Sequence, residues 1–150
     1  MQLELTKGQF RELLKAVIVG VRIREAVGEE RGTPDWDKTG DIEEYLLSKA
    51  KDFDSEDMAE YFLNGWIPSD DVSEEIDEEL EVYDNQEFWH TLHLDLAQRD
   101  FYRTITKEEK KFMAENNGVF PDRTHQLYKK YSRELEKHGV GRLEIVEKRK

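Results

Sequence analysis

The chain contains no cysteine, which excludes structural disulfides, thiolate zinc sites and cysteine nucleophiles. Long apolar runs are also missing. The stretch from Ala16 to Val21 spans six residues before Arg22 closes it, and Glu4 precedes it. That pattern fits neither a membrane span nor a secretory signal, so the expected location is the cytoplasm. No Asn-x-Ser/Thr acceptor occurs. There is no Gly-x-Ser-x-Gly elbow, and the Gly139–Glu144 stretch lacks the last glycine and the strand-turn-helix setting of a phosphate loop.

What is present is charge. Among 150 residues, 35 are acidic and 23 basic, for a net charge of −12, while hydrophobic residues make up 37%. A length of 150 residues fits one domain, and such a balance suits slender helices with wide solvated faces. Seven Phe, six Tyr and three Trp argue against disorder, because large aromatic side chains can supply most of a small core. Residues 1–102 hold 27 acids against 10 bases, and residues 103–150 hold 8 against 13. An acidic body with a basic end points to internal pairing, self-association or a charged protein partner. Direct nucleic-acid binding is not expected, since the phosphates would repel most of the chain.

Periodicity reads as helix almost throughout. Thr6 and Gln9 form a capping box for a helix running to about Val27 and stopped by Gly28. Phe10, Leu13, Leu14, Val17, Ile18 and Val21 fill one stripe of it. Ala16, Val19, Ile23 and Ala26 fill much of the opposite side, leaving a narrow basic seam of Arg11, Lys15 and Arg22. A helix apolar over most of its circumference is normally surrounded by others, so this one is read as central. A polar loop from Gly28 to Gly40 leads to a helix capped by Asp41 and Glu44. A short helix from Asp54 or Ser55 would carry Met58, Tyr61 and Phe62 and stop at Asn64-Gly65.

Past Pro68, Val72, Ile76 and Leu80 are spaced by four, and Asp84 with Glu87 caps a further helix to about Tyr102. Thr106 with Glu109 opens a short helix ending at Asn117-Gly118. Pro121-Asp122 starts the last, which Gly139 stops. The tail from Val140 to Lys150 can pair as a strand with Leu3–Leu5 or continue as helix. The expected fold is all-α: a single compact multi-helix domain over 1–150 around the central N-terminal helix, with a minor terminal β-strand pair as an option.

The most chemical-looking stretch is EFWHTLHLD, residues 87–95. Glu87, His90 and His93 stand three apart, so neighbours on the helix can meet at about 5–6 Å. Glu-x-x-His is half of the di-iron bundle pattern, but no second copy exists here. Partly buried structural histidines are the commoner outcome for such residues; a metal or proton-transfer site is the rival. Residues 70–84 contain nine acids and no base, among them Asp70, Asp71, Glu74 and Glu75. They suit a solvated helix face, a surface for a basic partner, or phosphate mimicry. Trp36 and Trp66, both read as loop residues, are either folded back on the core or partner-binding knobs.

The runs LELTKGQFRELLKAV and EFWHTLHLDLAQRDF resemble those of a group of small acidic bacterial proteins without an assigned function. The resemblance covers about a third of the chain, and its motifs are core-like. It implies a bacterial cytoplasmic protein and carries over no functional residues. The leading expectation is a non-enzymatic protein–protein interaction module without a cofactor. The alternatives are a metal-dependent or proton-transferring enzyme centred on Glu87, His90 and His93, and an acidic nucleic-acid mimic.

Overall fold

A computed structural model describes residues 4–33 and 36–144, and for residues 36–39 the backbone alone. Five α-helices and one β-hairpin make up these residues: α1 (Lys7–Arg31), α2 (Trp36–Leu47), β1 (Ala59–Phe62), β2 (Gly65–Pro68), α3 (Asp70–Arg103), α4 (Lys107–Glu115) and α5 (Asp122–His138). Single 3-10 turns occupy Ala50–Phe53, Glu56–Met58 and Gly139–Arg142. No helix among the described residues is long and apolar enough to cross a membrane. Contacts divide the chain into two compact units, Met1–Tyr83 and Asp84–Lys150.

In the first unit, α1 starts where its capping box places it: the Thr6 hydroxyl accepts from the Gln9 N–H, and the Gln9 side chain accepts from the Thr6 N–H. It runs four residues beyond the expected stop, because Gly28 is buried inside the helix and Gly32, at φ 63°, ends it. Phe10, Leu14, Ile18 and Val21 face the core, joined by Leu47, Ala50, Met58, Val72 and Ile76. Phe10 stacks on Phe53 with ring centroids 4.2 Å apart. Each such side chain contributes about 1.5–3 kcal/mol when fully buried. The other side of α1 departs from expectation. Ala16, Ile23 and Ala26 are exposed and only Val19 packs partly against the core, while Leu13, expected on the inward stripe, is exposed as well, so among the described residues the helix buries one stripe and is not surrounded.

The basic seam of α1 finds acids from two directions. Arg11 reaches both carboxylate oxygens of Asp57 at 2.8 Å, Lys15 pairs with Glu75, and Arg22 pairs with Asp77. Exposed pairs of this kind are worth at most about 1 kcal/mol each, so they orient the α3 start against α1 more than they stabilise it. Glu43 on α2 has the opposite character. Burial, helped by nearby Glu25, pushes its carboxyl above the usual range.

Three expectations for residues 28–103 are corrected. First, α2 begins at Trp36, so Asp41 lies within the helix and caps nothing. Second, the segment read as a short helix with Tyr61 and Phe62 is the antiparallel hairpin β1–β2, in register Ala59↔Pro68, Glu60↔Ile67, Tyr61↔Trp66 and Phe62↔Gly65. Third, the two helices expected on either side of Asp84 are one, α3. Nothing from Glu81 to Glu87 is Gly or Pro, and extending a helix through mildly unfavourable residues costs less than ending it and nucleating another. The β-pair is therefore internal. Leu5 and Val140–Glu144 form no strand, and the remainder of the proposed terminal pairing lies outside the described residues.

In the second unit, Thr106 and Glu109 form the expected capping box of α4, and Asn117 and Gly118 follow its end at positive φ. Leu96, Ala97, Phe101 and Leu135 are the buried hydrophobics. Phe101 meets Phe120 edge-on at 5.6 Å and carries the Arg123 guanidinium over its ring, 4.8 Å from the centroid. Arg123 donates to both carboxylate oxygens of Glu109 and to the Thr104 hydroxyl, tying α5 to α4 and to the end of α3.

Candidate functional site

The first unit concentrates its exposed apolar surface on the hairpin. The loop is two residues, Leu63 and Asn64, both at positive φ (54° and 123°). Hairpin turns match strand twist in this region, but usually with Asn or Gly in both places. A leucine there is sterically costly, on the order of 1 kcal/mol, and Leu63 is also 78% exposed. Tyr61, Phe62, Trp66 and Ile67 are exposed as well, with Tyr61 edge-on to Trp66 at 5.4 Å. No described strand pairs with the outer edge of β1.

The adjoining face of α2 completes this surface. Asp41, Glu44, Tyr45 and Ser48 follow helical spacing and, with Trp66, line a shallow cleft of about 340 Å³. At Gly65 an added Cβ would come within 3.2 Å of Glu44 Oε1, so glycine lets the strand approach the carboxylate. Ile42 and Tyr45 are exposed beside it, and Lys49 Nζ lies 5.6 Å from the Tyr45 ring. Among the expected partner-binding residues, Trp66 belongs here, on a strand instead of a loop. Trp36 opens α2, and its side chain lies outside the described structure. Asp70, Asp71 and Glu74 are exposed in the first turns of α3, while Glu75 is engaged by Lys15.

The histidines of α3 meet a residue that the sequence reading did not connect to them. His90 Nδ1 lies 3.1 Å from the Tyr128 hydroxyl, a hydrogen bond whose direction follows the histidine tautomer. The His93 ring stands perpendicular to Tyr128 at 5.6 Å and is buried, with Nε2 lacking any partner among the described residues. Glu87 is exposed, beside Phe88 and Asp84. No group of three or more His, Asp or Glu among the described residues is placed to hold a metal ion.

No protein-family model, curated protein or solved structure matches this chain.

Beside Tyr128 runs an open groove of about 440 Å³, walled by Leu94, Phe120 and Pro121 and rimmed by His90, His125 and Asp122. Thr124 also lines it. Its hydroxyl is buried without a hydrogen-bond partner among the described residues, a liability of about 1–3 kcal/mol. Further along α5, the Tyr131 hydroxyl donates to Asp100 and accepts from Arg99 at 3.2 Å. The Tyr131 bond, then Arg99, holds the Asp100 carboxyl below its ordinary value, while burial and that same bond push the Tyr131 phenol up. Glu109 is lowered to about 2, first by the Arg123 hydrogen bonds and then by the Thr106 N–H. Every strong partner of these groups is internal, so they read as clamps between helices and not as acid–base machinery.

Proposed function

We propose that this chain is a non-enzymatic interaction protein whose first unit captures a basic, apolar segment of another polypeptide on the hairpin and the adjoining face of α2. The observation that carries this reading is Leu63, a large apolar side chain held out in solvent on a backbone conformation that disfavours it. Backbone strain of this kind clusters at binding and switch regions. Around it, Tyr61, Phe62 and Trp66 offer the aromatic anchors that dominate interfaces, and the free edge of β1 offers main-chain hydrogen bonds.

Charge selects the class of partner. Residues 1–83 hold 23 acids against 9 bases, a balance of −14, and among the described residues the cleft beside Trp66 is lined by Asp41 and Glu44. A second copy of the same unit would be repelled, whereas a basic segment is steered in and held.

The test is affinity recovery from the source cell's extract, at about 0.05 M and 0.5 M salt, with the unaltered chain and with Leu63→Asn/Asn64→Gly. The double variant supplies the favoured turn pair, so the folded protein should gain about 1 kcal/mol while losing its partner. Recovery of one basic protein at low salt, absent with the variant, is the expected result. If the variant and the unaltered chain retain the same proteins equally, the hairpin is not the docking surface.

A further inference from the structure

The geometry points to a second site that is independent of the proposed partner surface: we infer that the groove between α3 and α5 binds a small planar aromatic molecule carrying a hydroxyl, a phenol-type ligand. Shape and lining come first. Leu94, Phe120 and Pro121 give the groove apolar walls, and its volume of about 440 Å³ suits a one- or two-ring molecule.

Planarity follows from the rings at the rim. His125 and Tyr128 stand one turn apart on α5 with planes within 7° of parallel and centroids 6.4 Å apart. A flat ring can extend this parallel arrangement in a single orientation, which a puckered ring cannot.

The polar groups specify the hydroxyl. The Tyr128 hydroxyl is engaged by His90 Nδ1, while the His125 nitrogens and the Asp122 carboxylate make no hydrogen bond among the described residues. A phenolic O–H can donate to Asp122 and accept from an imidazole N–H; a carboxylate ligand would be repelled by Asp122. Two further features mark this end of α5. Its N-cap is Pro121, which supplies no side-chain cap; the Pro121 carbonyl takes the Thr124 N–H at 2.9 Å, and the N–H groups of Asp122 and Arg123 precede it at the helix start. Thr124, 6% exposed and in the groove wall, has a hydroxyl without a partner among the described residues.

The experiment titrates the full chain with p-cresol, following histidine and tyrosine side-chain NMR signals, with toluene and 4-methylcyclohexanol as controls. Toluene lacks the hydroxyl and 4-methylcyclohexanol lacks the plane. The expected result is saturable shifts at His90, His125 and Tyr128 with p-cresol, and at least about ten-fold weaker binding of toluene, which loses the polar pairing, and of 4-methylcyclohexanol, which loses the ring contact. Leu94→Trp, which fills the groove, should abolish saturation. Should Leu94→Trp fail to fold, His125→Ala, an exposed position, serves instead and should weaken p-cresol binding to the level of toluene. Shifts that rise linearly, equal affinity for toluene, or p-cresol binding unchanged by these substitutions would overturn the assignment. None of these outcomes depends on Leu63 or the hairpin, so failure here leaves the proposed partner surface untouched.

Discussion

The two units of this chain solve the stability problem differently. Residues 1–83 carry a balance of −14 outside a contiguous apolar cluster of Phe10, Leu14, Ile18, Leu47, Met58 and Ile76, so their folding rests on burial. Residues 84–150 hold 12 acids against 14 bases, a balance of +2, and bury fewer large aliphatics. Their helices are joined by directional contacts: Arg123 on Glu109 and Thr104, Tyr131 on Asp100, and His90 on Tyr128. A unit held by burial can leave apolar groups exposed at its edge without losing its core, as the hairpin does. One held by polar clamps stays sensitive to pH, and its aromatic–histidine seam keeps an open groove.

The largest effect should come from the first unit's core. Ile18 is fully buried, and Ile18→Ala should cost about 2–5 kcal/mol, from lost transfer energy plus the cavity. Amide exchange would show residues 7–83 losing protection before residues 122–138. Equal loss in both segments would break the comparison and make them one cooperative body.

A smaller, pH-dependent change is expected from Glu109→Gln in the second unit. Because the folded carboxyl is lowered to about 2, its contribution is present above the ordinary value of 4.5 and disappears as pH falls through about 2. Melting temperatures of the two proteins should differ by a constant amount from pH 7 to about 5 and converge below that. A gap that persists at pH 2 would show that the glutamate acts by packing alone.

The smallest effect has the opposite sign. Burial raises the Glu43 carboxyl, so its ionised form is disfavoured in the folded state and stability declines as pH rises through its titration. Glu43→Gln should therefore stabilise the first unit at pH 7, by less than about 1 kcal/mol, with no gain at low pH. A loss at pH 7 would mean that the attraction of Arg22 outweighs burial.

Much of the helical framework was legible residue by residue. The capping boxes at Thr6–Gln9 and Thr106–Glu109 open helices, and Gly139 closes one, because caps act over three or four residues of chain. The inward stripe of the α3 start, Val72, Ile76 and Leu80, was readable from spacing, as was the basic seam of α1, although not its partners Asp57, Glu75 and Asp77. Asn64-Gly65 carries a signal common to a helix stop and a hairpin turn, because both use left-handed backbone; the aromatics on both sides favour the hairpin. Here the turn sits one residue earlier, on Leu63-Asn64, which has no turn signature of its own. Asp41 and Asp84 have capping-box spacing yet lie inside helices, since a capping residue does not end a helix that nothing breaks.

The sequence by itself determined a helical, acidic chain without thiol chemistry and with most of its helix starts, because composition and i to i+3 patterns are local properties. Only the tertiary structure decided which stripe of α1 faces the core, that residues 59–68 pair as strands, and that Tyr128 stands against His90 and His93. The hairpin is local, but its choice over a helix depends on packing against the rest of the unit, and the other two outcomes depend on contacts between distant residues, such as His90 with Tyr128, 38 positions apart, and Lys15 with Glu75, 60 apart. At such separations the energy of a contact depends on where the rest of the chain has packed, which no local pattern encodes.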